Sequence, residues 1–256
     1  MPFVAKYDET FWRRALARAT PGTLMGTLKR IVENQEQKVT LSLTDSLSEH
    51  DVLEALIEKS KQPAASHDGL ARFDYLLRSP WRYPPLKWGS RFGQRFEPSL
   101  FYGSLSNRAL FAEAAYYRLV FLDGMHKPFQ DRVISQFTIF EAMYRTAHGY
   151  DLARPPFARH EAVLRDKSHY LPCQALGSVL REKGVEAILY LSARAPGEAI
   201  NIALFSPAAL RSRKHQNPRH GLAESRVDGV SFRFGKEVLD YPRENFLVDG
   251  RLPIPA

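Results

Sequence analysis

Cysteine is almost missing from this chain: Cys173 is the only one among 256 residues. One thiol can build neither an internal disulfide nor a thiolate zinc site, which fits a reducing cytoplasm. Long apolar runs are missing as well; no stretch approaches the roughly 20 residues needed to span a bilayer, so no membrane partner is expected. The opening MPFVAKYDETFWRRALARAT lacks an apolar core followed by a small-residue cleavage site and predicts no secretion signal. Neither GxGxxG nor GxxxxGK(S/T) occurs, which removes the phosphate loops of dinucleotide-binding and P-loop folds. The eight histidines are scattered without HExxH spacing, so no metal is expected. YGSLS at 102–106 departs from GxSxG and makes Ser104 a poor hydrolase nucleophile.

What remains is an ordinary globular composition, 44% hydrophobic and 25% charged, in a chain long enough to bury a core. Net charge is +8, from 36 Lys plus Arg against 28 Asp plus Glu. A basic balance suits an anionic partner: nucleic acid, a phosphorylated small molecule or an acidic protein. The charge is dense only in RSRKHQNPRH (211–220), which holds no aromatic residue to stack on a base. Direct nucleic-acid binding is therefore the weaker expectation.

The pattern predicts an α+β domain, residues 66–256, preceded by a helical N-terminal extension, residues 1–65. A short helix is expected over 8–19 and a second over 48–60, where Leu53, Leu56 and Ile57 form an apolar stripe. KQPAASHDG (61–69) reads as a linker, and the prolines of SPWRYPPLKWGSRFG (79–93) argue against regular structure there. SLFYGS (99–104) reads as a strand, followed by a helix capped at Ser106 or Asn107. Further strands are expected at 132–145, 185–193, 200–206 and 230–234, with a helix over 171–184 closed by Gly184. Without regular βαβ alternation, the sheet should be central and mostly antiparallel.

Within the apolar run 109–122 stands one acid, Glu113, whose helical neighbours Ala109, Leu110, Tyr116 and Tyr117 carry no positive charge. A buried carboxylate without a donor costs several kcal/mol or takes up a proton. Arg91, Tyr102 and Glu113 follow one another at intervals of eleven residues, in a loop, a strand end and a helix. The pair Arg91 and Glu113 can be a ligand site or an ion pair holding a loop down. Ser192, where the strand AILYLSAR turns polar, can serve a ligand or satisfy a turn.

The run RYPP…GSRF…SLFYGSLSNRALFAEAAYYR, with LPCQALGSVLREKGVEAILYLSARAPGEAINIALFSP, resembles the RES-domain family over about residues 70–210. The family's arginine, glutamate and serine match Arg91, Glu113 and Ser192, and its usual tyrosine matches Tyr102; Arg95 in GQRF is the alternative arginine. The resemblance implies an ADP-ribosyltransferase-like fold and NAD⁺ as substrate, with no bound cofactor. It implies a toxin cleaving NAD⁺ by phosphorolysis, with inorganic phosphate as co-substrate, or by hydrolysis; transfer of ADP-ribose to protein is the alternative. The partner it implies is a small DNA-binding, Xre-type antitoxin. The chemistry agrees: Glu113 would stabilise an oxocarbenium-like ribose, Arg91 would grip the diphosphate, Tyr102 would offer a flat face and a hydroxyl, and Ser192 would bind the ribose or hold Glu113.

Overall fold

A computed structural model of the chain describes residues 6–33, 46, 48, 49, 52, 53, 56, 69–82, 87–125 and 131–254. The expected helix over 48–60 and the linker over 61–69 lie mostly outside the described residues. The first helix, α1 (Glu9–Leu16), is capped by Asp8, whose side chain accepts from Phe11 N at 2.7 Å. Its inner face is Trp12, Ala15 and Leu16. Trp12 is fully buried, and its Nε1 donates to Pro172 O at 2.8 Å.

Residues 1–65 do not form a purely helical extension, because Gly22–Glu33 is a strand, β1, of the main sheet. Gly22, Thr23, Gly26 and Thr27 are poor helix formers. β1 pairs antiparallel along the third strand, from Gly22 opposite Gly149 to Glu33 opposite Phe137. Its sequence hides this because only Leu28 is fully buried, so the alternation of a half-buried strand is faint.

The helix α2 (Tyr75–Arg82) is a second departure from expectation, since it carries Pro80 inside a turn. Proline removes the bond its nitrogen would make to the carbonyl of Leu76. Ser79 Oγ supplies a substitute at 3.4 Å. The elements that follow are β2 (Phe101–Ser104), α3 (Asn107–Asp123), β3 (Val133–Asp151), the single turn α4 (Glu161–Leu164), unexpected from the sequence, and α5 (Leu171–Glu182). Then come β4 (Ala187–Leu191), β5 (Ile200–Leu204), β6 (Gln216–Arg226), β7 (Gly229–Phe234) and β8 (Glu237–Pro242), of which β6 and β8 are likewise unexpected. Ser106, of the two candidates, caps α3 by accepting from Ala109 N at 3.2 Å. No helix among the described residues is long and apolar enough to cross a membrane.

The eight strands run β1-β2-β5-β4-β3-β6-β7-β8, and the extra β1–β3 pairing closes the first five into a ring. Only β3 and β4 pair in parallel; the sheet is otherwise antiparallel. At 19 residues, β3 is the shared strand: its start pairs with β6 and its end, Gly149–Asp151, with β4.

Strand alternation sorts the side chains. Ala187, Ile202 and Leu204 join Leu28, Phe140 and Trp81 inside the ring, while Ile188, Tyr190 and Ala203 face α5 and α1. A third cluster packs Leu110, Phe111 and Ala115 of α3 on Phe232 and Phe234 of β7. Against the turn after β4, α3 presents the small Ala109 and Ala112, which meet Ala195 and Ala199. Two neighbouring surfaces thus cover α3, which is why its sequence is apolar nearly all round.

The basic run 211–220 is not one charged face. His215 is held to Asp74 at 2.7 Å, Asn217 donates to Glu141 at 2.7 Å, and Arg219 lies 3.8 Å from Glu237 across the sheet.

Trp12→Ala should cost about 3–5 kcal/mol, the range for emptying a fully buried aromatic site. Urea unfolding should show one cooperative transition at lower midpoint. A loss under about 1 kcal/mol would mean that α1 is an appendage rather than part of the core.

Candidate active site

Arg91 is presented by a loop clamped on α5. Gly177 of that helix lies so close that an added Cβ would sit 2.0 Å from Phe92 O. Gln174 Nε2 donates to Trp88 O at 3.0 Å and Ser90 O at 3.1 Å. Gly89 takes a left-handed φ of +75°, and Ser90 N closes the turn on Gly93 O at 2.8 Å. From the strand side, the Tyr102 hydroxyl accepts from Phe92 N at 3.0 Å and shares a hydrogen bond with Ser90 Oγ at 2.9 Å. Tyr102 therefore spends its hydroxyl on the loop and offers the cleft its ring.

The Arg91 side chain is almost wholly buried. Its Nη1 donates to Leu164 O at 3.2 Å and Asp166 O at 2.9 Å, and its guanidinium lies 4.4 Å from the centre of the Tyr170 ring. Burial works against its charge, but the acidic groups around it, Tyr170, Cys173, Glu113 and Tyr190, more than offset that and raise its pKa. Arg95 is exposed and does not line the cleft that Arg91 lines. Cys173 lies behind this loop, fully buried, and burial pushes its thiol up to about 11.

Glu113 makes no ion pair with Arg91. Its Oε1 accepts twice, from Ser192 Oγ at 2.7 Å and from Asn201 Nδ2 at 2.9 Å. Asn201 is oriented in turn by Ser104 Oγ, which donates to its Oδ1 at 2.7 Å. Ser192 Oγ accepts from the backbone of Arg194 and Ala195, both at 3.1 Å, and the residue is fully buried. With its hydroxyl so engaged, Ser192 is a positioning residue for the carboxylate. Oε2 has no protein partner among the described residues. Asn201 was not singled out from the sequence, although a lone amide inside INIALF signals a buried polar group in need of partners.

Glu113, Arg91 and Tyr102 line one cleft of about 640 Å³, with Tyr170, Tyr190 and Asn201. β1 adds a residue the sequence did not indicate. Arg30 donates from Nη1 to Tyr102 O at 3.0 Å and lies 4.8 Å from the centre of the Phe101 ring. It has no acidic partner among the described residues, and its Nε is buried without any. Burial pushes Arg30 down to about 10, so it stays charged at neutral pH. Arg118, by contrast, is held by Ser225, Ser135 and Glu33. Two guanidiniums without carboxylate partners, aromatic walls and one carboxylate with a free oxygen suit a ligand that is anionic at one end and becomes cationic at the other. No group of three potential His, Cys, Asp or Glu metal ligands occurs among the described residues.

Burial holds the Tyr102 phenol up to about 12 against the pull of its bonds from Ser90 and Phe92 and of the Arg91 charge. The unfolded value is about 10, so the folded state keeps this proton longer. Its contribution to stability is complete below about pH 10 and is lost as pH rises toward the folded value. Tyr102→Phe should cost about 1–2 kcal/mol at pH 7 by orphaning Phe92 N. The gap to the parent protein should narrow at alkaline pH in urea unfolding; a constant gap would contradict the assigned burial.

A family model described as the RES domain matches residues 67–225, which include Arg91, Tyr102, Glu113, Ser192 and Asn201 but not Arg30. Among solved structures, the chain is similar to one in the crystal structure of the M. tuberculosis MbcT–MbcA toxin–antitoxin complex. The identity is 14%, the match covers 92% of this chain and 94% of that one, and the TM-score is 0.43. No curated protein matches it. Since the family model spans well over half of the 256 residues, the chain belongs to the RES-domain family.

Proposed function

We propose that this protein cleaves the nicotinamide–ribose bond of NAD⁺. The observation that carries the reading is the Glu113 carboxylate, fixed through Oε1 by Ser192 and Asn201 with Oε2 left to the cleft. As the glycosidic C–N bond breaks, its electron pair leaves with neutral nicotinamide and positive charge develops on the ribose. A carboxylate already oriented toward that position stabilises the charge without reorganising. Arg91 and Arg30 grip the diphosphate, and the cleft is of the size that takes such a ligand. The ribose carbon then bonds to an oxygen of phosphate or water, whose proton is released to solvent, giving a phosphorylated ADP-ribose or ADP-ribose; a protein acceptor gives, with the same proton loss, an ADP-ribosylated product. No metal and no bound cofactor is needed for these steps.

Incubation with NAD⁺, with and without inorganic phosphate, followed by mass spectrometry identifies the product and so the acceptor. Glu113→Gln keeps the shape of the site and should reduce NAD⁺ loss by about 10²–10³-fold. Arg91→Ala should weaken ADP-ribose binding by about tenfold to a hundredfold, and Arg95→Ala should leave it nearly unchanged. Folded Glu113→Gln protein with full turnover would overturn the reading.

We further propose that the protein is the toxin of a toxin–antitoxin pair, active in the cytoplasm, with a small Xre-type DNA-binding protein covering the cleft. Beside the family membership, the rim supports this: Tyr117 and Phe121 stand one helical turn apart on α3, 44% and 56% exposed. Exposed aromatics next to a cleft are typical anchors for a partner. Co-expression with the neighbouring gene should give one complex on gel filtration, and Tyr117→Ser with Phe121→Ser should weaken it at least tenfold. Harmless expression of the chain alone, together with no complex, would count against the toxin.

A further inference from the structure

Behind the turn that holds Ser192 lies a second cavity, of about 540 Å³, which shares no lining residue with the Glu113 cleft. Four cations line it: Arg108 from the first turn of α3, Arg165 and Lys167 from the segment after α4, and Arg194 from the turn after β4. The one acid among the lining residues, Asp240, accepts from Ser231 Oγ at 2.5 Å through one oxygen, so four cations face a single carboxylate. Like charges so gathered repel one another unless something negative joins them.

The four are not equally occupied. Arg165 is a structural strut: Nη1 pairs with Glu161 at 2.7 Å, Nε donates to Ser192 O at 3.0 Å, and Nη2 donates to Ala195 O at 3.0 Å. The other three have no carboxylate partner among the described residues. Lys167 Nζ reaches only Asn245 O at 3.3 Å. Burial, then Arg194 and Arg165, push its ammonium pKa down, the signature of a positive field not yet neutralised. Arg194 is 4% exposed and stacks 3.5 Å from the centre of the Tyr116 ring. Its Nη2 donates to Lys167 O and the Tyr170 hydroxyl, whereas Nε and Nη1 are buried with no hydrogen-bond partner among the described residues. A buried guanidinium with two orphaned donors is costly unless a charge next to it repays the burial. Tyr241 gives the cavity a half-buried aromatic wall.

We infer that this cavity binds a small phosphorylated anion, its phosphate taken by Arg108 and Lys167 in the field of the buried Arg194, at a site separate from the Glu113 cleft. Guanidinium and ammonium donors without carboxylate partners match phosphate oxygens, and a dense positive cavity concentrates such ligands. The two sites are joined by α3, by Tyr170, which lines the cleft and accepts from Arg194, and by the turn 193–197, whose backbone amides at Arg194 and Ala195 hold Ser192.

Isothermal titration with inorganic phosphate, pyrophosphate and ADP tests this in the full chain. Wild-type protein should show two classes of site for pyrophosphate. Arg108→Ser combined with Lys167→Ser, both outside the packed core, should weaken one class at least about tenfold and spare the other. Arg91→Ala should do the reverse. Tighter binding of ADP than of pyrophosphate at the retained class of Arg91→Ala protein would identify a nucleotide that uses the Tyr241 wall. Equal binding would identify the phosphate group alone as the recognised element. A pyrophosphate isotherm of the double variant that matches wild type, or a single class abolished by Arg91→Ala, overturns the proposal.

Discussion

The paired hydrogen bonds from Ser192 and Asn201 to one oxygen of Glu113 are the constraint around which the rest is arranged. A carboxylate on an apolar helix must find donors, and these arrive from the turn after β4 and from β5, 79 and 88 residues away respectively. To meet them, α3 must lie close against that turn. The small contact face of Ala109, Ala112, Ala195 and Ala199 allows this approach, where larger side chains would hold the helix off. The geometry of the carboxylate is therefore tied to the packing of the sheet, and a loosened core would be felt at Oε2.

A second clamp acts on the arginine. Gly177 lets α5 touch the backbone of Phe92, Gln174 holds two loop carbonyls, and the Tyr102 hydroxyl fastens the loop to β2. Arg91 is thus held in place by the fold, which would lower the entropic cost of the proposed grip on a ligand. The same economy holds for Arg30, pinned by Tyr102 O and the Phe101 ring. Tyr102 consequently does more for the cleft as a tie between strand, loop and β1 than as a free hydroxyl.

The long strand β3 connects two halves with different tasks. Its C-terminal end and β1 complete the ring that carries the cleft, while its N-terminal half opens into the β6–β8 meander that supports the outer face of α3. The helix bearing Glu113 is held between them. The second cavity sits where the meander meets the turn after β4, with Tyr241 on one side and Arg194 on the other. Two positively charged hollows therefore flank one helix, and the residues between them are those that orient the carboxylate.

Sequence alone determined whatever is local in cause. Capping residues and apolar spacing placed α1, α3 and α5; β-branched runs placed β3, β4 and β5; one acid in an apolar helix singled out Glu113; and the motif order pointed to Arg91, Tyr102 and Ser192. Tertiary structure decided what depends on distant partners. β1 is a strand because eleven of its residues find places along β3, although its own pattern scarcely alternates. α2 continues through Pro80 because Ser79 covers the carbonyl that proline leaves bare. Arg30 joined the cleft, Asn201 became the second support of Glu113, and Ser192 turned inward, each through contacts between residues more than 70 positions apart. Local propensity fixes backbone shape, whereas the partner of a buried charge is chosen by the fold, because only the fold brings that partner within hydrogen-bonding reach.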